Sequence, residues 1–144
     1  MKPSPKLCKA GIQLREQFDD SFPERKRPDG WIADARHYRD NSNSDHIPDA
    51  QGWVRALDVS VKLGSDGQMW DVANQLRILA KRGDKRVSYI IFDGKICSRI
   101  LRWKWRKYRG SNNPHRLHMH ISFTKKGDRD GKFFNVPLLG GSYD

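Results

Sequence analysis

A chain of 144 residues is long enough for one compact domain that buries about two-thirds of its unfolded surface, and we expect residues 1–144 to form a single domain. Its 28 lysines and arginines against 17 aspartates and glutamates give a formal net charge of +11, which favours a polyanionic partner, although a charged surface that only aids solubility explains the same excess. Two distant cysteines, Cys8 and Cys97, exclude a disulfide scaffold and a cysteine-rich zinc site; we expect free thiols, with a single bridge left open.

The first half of the chain shows a helix pattern followed by strand and loop patterns. Spaced apolar residues predict an imperfect amphipathic helix over residues 7–22, which Pro23 ends. Short strands are predicted around residues 31–35 and over 53–61. The segment 39–49 between them is rich in Asn, Ser and Asp, and this composition is typical of a loop.

The second half holds the clearest helix pattern and most of the predicted strands. Residues 69–81 place their apolar side chains on one helical face. A two-residue Asp-Gly turn joins strands 87–92 and 95–99 in a predicted β-hairpin. Further strands are predicted over 118–123 and, in short form, near 133–138. Together the elements predict an α+β fold in which helices flank a small antiparallel sheet.

The segment 99–109 interleaves aromatic residues with cations and has more than one interpretation. As an edge strand it would bury Leu101, Trp103 and Trp105 and turn its lysines and arginines to solvent. As a binding rim it would set tryptophans against sugar rings and cations against carboxylates or phosphates. Interleaved aromatic and cationic side chains also suit single-stranded nucleic acid.

Two short stretches hold four of the five histidines and one aspartate. The first is Ser44-Asp45-His46, followed by Asp58, and the second contains His115, His118 and His120. Isolated histidines are usually surface or core residues, but such clustering is unusual without a chemical reason. Two imidazoles and a carboxylate with an open fourth position form the ligand set of a catalytic zinc site.

Strand alternation predicts where these side chains point. In strand 118–123, His118 and His120 share one face with Ser122, while the apolar residues between them face the core. Asp58 occupies a comparable polar face of the strand 53–61. Because adjacent strands lie about 4.8 Å apart, one ligand from each strand could reach a single zinc ion.

At these residues the chain resembles the D-alanyl-D-alanine carboxypeptidase-like zinc peptidases, which include hedgehog-type domains and phage endolysins. The resemblance lies in Ser44-Asp45-His46, in Asp58 and in His118-Met119-His120, and it extends to Ala35-Arg36-His37 and Asn113-Pro114-His115. It implies a hedgehog/DD-peptidase-like fold whose antiparallel sheet carries the metal site. Many members have a shorter spacing between the first histidine and the aspartate, so we expect an inserted turn there.

The resemblance also implies roles for individual residues. His46, Asp58 and His120 would be the zinc ligands, and His118 would be the general base, where many members carry an acid. His115 would orient or polarise His118, although a loop histidine would explain it nearly as well.

Two further residues receive a substrate-binding role from the resemblance, namely Arg36 and Ser44. Arg36 would bind a substrate carboxylate or stabilise the oxyanion, although a surface cation is an equal alternative. The neighbouring His37 stays open between these roles.

The implied function is a zinc-dependent peptidoglycan peptidase that hydrolyses an amide bond of the stem peptide or cross-link and leads to bacterial host lysis. Its partners would be peptidoglycan and anionic cell-envelope polymers, and we expect a monomer. No window of the sequence is apolar enough for a membrane span or a signal peptide. We therefore expect a protein that starts in the host cytoplasm and reaches the wall through a holin-type partner. A metal-dependent nuclease or nucleic-acid-binding protein is the alternative, and a hedgehog-like binding domain with a vestigial metal is a third.

Overall fold

The computed structural model describes residues 3–33, 44–64, 68–109 and 115–142, and these residues form a mixed α+β fold. Two α-helices lie within the described ranges, α1 (Lys9–Ser21) and α2 (Met69–Lys81). A small antiparallel sheet accompanies them, so the predicted fold class is confirmed at this level. Among the described residues, none of the helices combines the length and apolar character that a membrane crossing requires.

The strands form two sheets. They are β1 (Lys6–Leu7), β2 (Trp53–Val54), β3 (Ala56–Ser60), β4 (Val87–Phe92), β5 (Lys95–Ser98), β6 (Arg106–Lys107) and β7 (His118–Phe123). The main sheet has the order β3-β7-β4-β5-β6, and all its neighbours are antiparallel. β1 and β2 form a separate parallel pair. β7, late in the chain, therefore lies between two earlier strands.

One face of the main sheet forms the hydrophobic core. Apolar residues of β3, β4 and β7 pack in the same cluster as the buried sides of both helices: Leu14, Phe18, Leu76, Leu57, Ile90, Met119 and Ile121. Strand alternation turns the residues between them to the opposite face. That second face carries Asp58 and His120, so the core itself determines the side of the sheet on which these polar groups meet.

Helix α2 and the hairpin match the sequence prediction. α2 spans the predicted residues 69–81, and β4 and β5 are joined by a two-residue turn. Asp93 and Gly94 in that turn have φ of 49° and 77°, the left-handed conformation that the favoured hairpin turn requires. A turn is present in the stretch between His46 and Asp58, because the N–H of Gly52 donates to the carbonyl of Asp49 (2.9 Å).

The predicted strand 53–61 is divided at Arg55. The N–H of Arg55 donates to the carbonyl of Asp45 (3.2 Å), and its guanidinium contacts the carboxylates of Asp49 (2.6 Å) and Asp128 (2.7 Å). These bonds anchor the chain at the break, so that β2 pairs with β1 and only β3 joins the main sheet.

Three predicted elements were wrong in detail. Leu7 lies in β1 rather than in the first helix, and Ile12 of α1 is exposed. The predicted strand at 31–35 is absent from its described part, 31–33, where only the preceding Gly30 forms an isolated bridge to β3. Around 133–138 the chain forms a 3-10 helix at Pro137–Leu139 instead of a strand.

The segment 99–109 is mostly turns, with only the short β6 in the sheet. Arg102 and Trp103 have φ of 55° and 58°, which are incompatible with a strand. Trp103 is buried in the core, and its carbonyl accepts a hydrogen bond from Arg77 (2.8 Å). Trp103 is therefore unable to lie against a bound polymer, whereas the cations of the segment remain exposed.

Both cysteines, Cys8 and Cys97, are free and buried in the core, as expected for reduced thiols. Burial raises the pKa of the Cys8 thiol to about 11 and that of Cys97 to about 12. Each side chain therefore packs as a small apolar group.

Candidate metal centre

Asp58 and His120 face each other across two neighbouring strands. In the antiparallel pairing of β3 with β7 they are direct partners, flanked by Val59 opposite Met119 and Leu57 opposite Ile121. Directly opposed residues point to the same side of a sheet. Nδ1 of His120 lies 2.8 Å from Oδ1 of Asp58. The strand prediction therefore brought together two of the three proposed ligands.

His46 reaches the same point from the loop that precedes β2. Gly30 exchanges both of its backbone hydrogen bonds with Asp58 (3.1 and 2.7 Å), which lays the following residues alongside β3. In this segment the carbonyl of Trp31 accepts from Nδ1 of His46 (3.1 Å), and the N–H of Ala33 donates to the His46 carbonyl (3.1 Å). Nε2 of His46 is thereby directed at Oδ2 of Asp58, 3.2 Å away.

The hydrogen bonds to the outer ring nitrogens constrain the protonation of the site. A carbonyl only accepts, so Nδ1 of His46 carries a proton, and in the neutral ring Nε2 then presents a lone pair to the carboxylate. Nε2 of His120 is hydrogen-bonded to the hydroxyl of Ser122 (2.7 Å). The lone pair of a neutral His46 would repel the carboxylate at 3.2 Å, so this contact requires a proton or a cation between Nε2 of His46 and Oδ2 of Asp58.

The charge of Asp58 dominates the electrostatics of the metal-free cluster. Burial would raise the pKa of Asp58, but hydrogen bonds from His120 and His46 outweigh burial and hold that pKa well below its usual range. Burial would likewise lower the pKa of His46, but the hydrogen bond and charge of Asp58 raise it above its ordinary value. The site thus holds an ionised carboxylate and attracts positive charge.

The three side chains fit a metal ion by donor type and by spacing. Each of His46, Asp58 and His120 offers one ligand atom, and these atoms all lie within 4.8 Å of one another. Ligand atoms around a tetrahedral ion with bonds of about 2.0–2.2 Å are roughly 3.5 Å apart, within the range found here. The outer nitrogens of both histidines are already hydrogen-bonded, as is usual for metal-ligating imidazoles. The group could therefore hold a metal ion with only small side-chain movements.

The remaining two histidines of the second stretch occupy different environments. His115 is half-buried, with its ring centroid 5.4 Å from that of His120 and 5.8 Å from that of Tyr108. Burial, together with the neighbouring His120, lowers the pKa of His115 to about 4, so this imidazole is neutral at pH 7. His118 lies on the same strand face as His120, opposite Ser60, and its side chain is exposed.

The residues predicted to bind substrate are only partly visible. The hydroxyl of Ser44 accepts a hydrogen bond from the N–H of His46 (3.3 Å), and its carbonyl accepts from Ile47 (3.0 Å). Ser44 thus stabilises the turn that carries His46. Arg36 and His37 lie outside the described residues.

Sequence reasoning missed two side chains that border the centre, Tyr89 and Asp45. The ring of Tyr89 stacks on His120 with an interplanar angle of 18°, and its hydroxyl donates to Asp45 (2.9 Å). Asp45 was visible inside the Ser-x-His motif, but nothing marked it as a partner of a residue 44 positions away. Tyr89 alternates to the correct face of β4, and that signal has meaning only once β4 is known to pair with β7.

Comparisons with known proteins gave no match to a family model, to a curated protein or to a solved structure.

Proposed function

We propose that this protein is a zinc-dependent peptidase that hydrolyses an amide bond in the stem peptide or cross-link of peptidoglycan. The observation that carries the proposal is the convergence of His46, Asp58 and His120, which are separated along the chain, on one point beside the sheet. The same residues stand in the order Ser-x-His, Asp, His-x-His that resembles the zinc peptidases. Geometry and motif thus support the same ligand set independently.

Zinc suits this donor set better than a hard cation does. Two imidazole nitrogens and one carboxylate oxygen are typical ligands of catalytic zinc, whereas magnesium and calcium favour all-oxygen sites. When bound, zinc polarises a carbonyl and lowers the pKa of water to about 7. His46, Asp58 and His120 would hold the ion, with Trp31 and Ser122 fixing the two rings through their outer nitrogens.

The protein group that moves protons would be the imidazole of His118. In the proposed reaction, an imidazole nitrogen of His118 accepts the proton of the attacking water and then donates it to the leaving amine nitrogen. An imidazole titrates near neutral pH, so it can perform both transfers without a large pKa shift. The exposed position of His118 leaves it open to substrate. His115 packs against His120 and would hold this wall of the site in place.

The exposed cations support a substrate peptide that is attached to an anionic polymer. Lys95 of β5 stands directly opposite Lys107 of β6, a like-charge pair that costs stability in an antiparallel sheet. Further cations of the segment 99–109 are also exposed: Arg99, Arg102, Lys104, Arg106 and Arg109. Such a concentration of positive charge would attract wall polymers and other anionic cell-envelope polymers. Trp103 is excluded from this surface by its burial.

The test is to incubate the zinc-loaded protein with purified peptidoglycan and, separately, with DNA and RNA. We expect new free amino groups without new reducing ends, and intact nucleic acid. Mass spectrometry of the released fragments would identify the bond. Removal of zinc by a chelator should abolish the release and added zinc should restore it, while Asp58→Asn serves as the inactive control.

A metal-dependent nuclease is the second candidate, because the cationic surface around Lys95 and Lys107 suits a nucleic-acid backbone equally well. Metal-dependent cleavage of DNA or RNA by a protein that leaves the wall intact would refute the peptidase proposal and establish the nuclease. New reducing ends from peptidoglycan would instead indicate a glycosidase.

A further inference from the structure

Tyr89 lies against the metal centre although no sequence motif includes it. β4 pairs antiparallel with β7, with Tyr89 opposite Ser122 and Ile91 opposite His120. Tyr89 therefore shares the polar face of the sheet with His120. Its ring centroid is 5.5 Å from that of His120, and the two rings are nearly parallel. The phenol ring thus covers one side of a candidate ligand.

The hydroxyl of Tyr89 extends from the strand to the loop that carries the first ligand. It donates a hydrogen bond to Oδ2 of Asp45 (2.9 Å), the residue immediately before His46. The Asp45 carbonyl in turn accepts from the N–H of Arg55 (3.2 Å). Asp45 is therefore held at both its side chain and its backbone, and His46 follows directly from this anchor.

A single side chain thus contacts one candidate ligand, His120, and the residue that precedes another, His46. Through its ring Tyr89 supports His120 on β7, and through its hydroxyl it supports the loop that brings His46 to Asp58. The bond to a carboxylate is charge-assisted and is stronger than one between neutral groups. Without it, metal binding would also have to order the loop that carries His46, and the loss of conformational entropy would weaken the binding of the ion.

We propose that Tyr89 is a positioning residue of the metal centre, which holds the His46 loop and the His120 ring in the geometry that binds a metal ion. The inference rests on the ligand set of the proposed function but not on its substrate. It concerns the affinity for the ion, so it can be tested without any turnover.

The experiment measures zinc affinity by competition with a chromophoric chelator for the wild-type chain and for Tyr89→Phe, Asp45→Asn and the double variant. Tyr89→Phe keeps the stacked ring and removes only the hydroxyl. We expect it to weaken zinc binding about 10–100-fold, the usual effect of losing an outer-shell partner. Asp45→Asn should weaken zinc binding in the same direction. The double variant should lose less than the sum of the two single losses, because Tyr89→Phe removes the donor of the bond that Asp45→Asn weakens. Tyr108→Phe, which removes a hydroxyl from the tyrosine that packs on His115, is the matched control.

A merely structural role of Tyr89 would give a different pattern. In that case Tyr89→Phe would lower the thermal stability of the metal-free protein and leave zinc affinity within about twofold of wild type, which overturns the proposal. Losses that add fully in the double variant would overturn it as well. Cobalt substitution gives a second readout, since a misplaced His46 should alter the visible spectrum. If the protein binds zinc tightly but leaves peptidoglycan intact, only the peptidase proposal is refuted. The zinc affinities of the variants relative to wild type are measured without substrate and still test the role of Tyr89.

Discussion

Replacing Asp58 by asparagine tests the metal centre most directly. The carboxylate lies 2.8 Å from Nδ1 of His120 and 3.2 Å from Nε2 of His46, so it is the group that both imidazoles share. Asparagine keeps the size of the side chain but removes its charge and one acceptor oxygen. Losing an outer-shell partner already weakens metal binding about 10–100-fold, so losing a direct ligand should cost at least about 100-fold.

The expected size of the effect follows from mass action. Zinc at about 100 times its Kd should stabilise the wild-type protein by about 2.7 kcal/mol. For a chain of 144 residues, each kcal/mol shifts Tm by about 4 °C, so zinc should raise the wild-type Tm by about 11 °C. In Asp58→Asn the same zinc concentration would be near Kd or below, which leaves at most about 0.4 kcal/mol and a shift of about 2 °C.

Thermal unfolding with and without zinc provides the assay, and each variant is compared with its own metal-free protein so that changes in intrinsic stability cancel. Asp71→Asn on the exposed side of α2 makes the same chemical change away from the centre and should respond like wild type. A full zinc-induced shift in Asp58→Asn would refute the ligand assignment. The absence of any shift in the wild-type protein would refute the metal centre itself.

Three further predictions concern other parts of the molecule. His118→Ala should retain zinc and lose about 10²–10⁴-fold in turnover, as measured by amino-group release; near wild-type activity would transfer the role of base to His115. Burial opposes the ionisation of Asp84, but Arg86 outweighs burial and holds the pKa of Asp84 below its ordinary value. The ionised Asp84 therefore contributes stability above about pH 4, and this contribution is lost as the pH falls further. Asp84→Asn should cost about 3 kcal/mol at neutral pH in urea unfolding, because Arg86 stays buried and keeps only the more distant carboxylate of Asp130 (4.0 Å). The same change should flatten the loss of stability in acid. Wall hydrolysis should slow as salt shortens the Debye length from about 8 Å at physiological strength to about 3 Å at 1 M, and replacing the exposed cations of 99–109 by glutamine should remove that dependence.

Local patterns were enough to predict the elements that build the centre. The period-2 alternation of β7 predicted that the side chain of His120 points away from the core while that of Ile121 points into it, and the structure shows that arrangement. The Asp-Gly turn and the apolar stripe of α2 predicted their elements correctly for the same reason, since each depends on neighbours a few residues apart. Where a local pattern was weak, as at 31–35, the prediction was wrong in the described residues.

The segment 99–109 shows how tertiary contacts override a local pattern. Burial alternates much as predicted, with Trp103 inside and its cationic neighbours outside. The backbone is nevertheless turned, because Arg102 and Trp103 adopt left-handed conformations and Arg77 of α2 donates to the Trp103 carbonyl. An alternating burial pattern is therefore compatible with more than one backbone conformation, and the contact with α2 stabilises the turned conformation observed here.

The sequence by itself determined which side chains can bind a metal, which face of each strand they occupy, and how much net positive charge the chain carries. Only the tertiary structure decided which strands are neighbours. Placing β7 between β3 and β4 set His120 opposite Asp58 on one side and beside Tyr89 on the other. Strand order depends on contacts between residues far apart in the chain, and the period-2 pattern within one strand is the same whichever strand lies beside it.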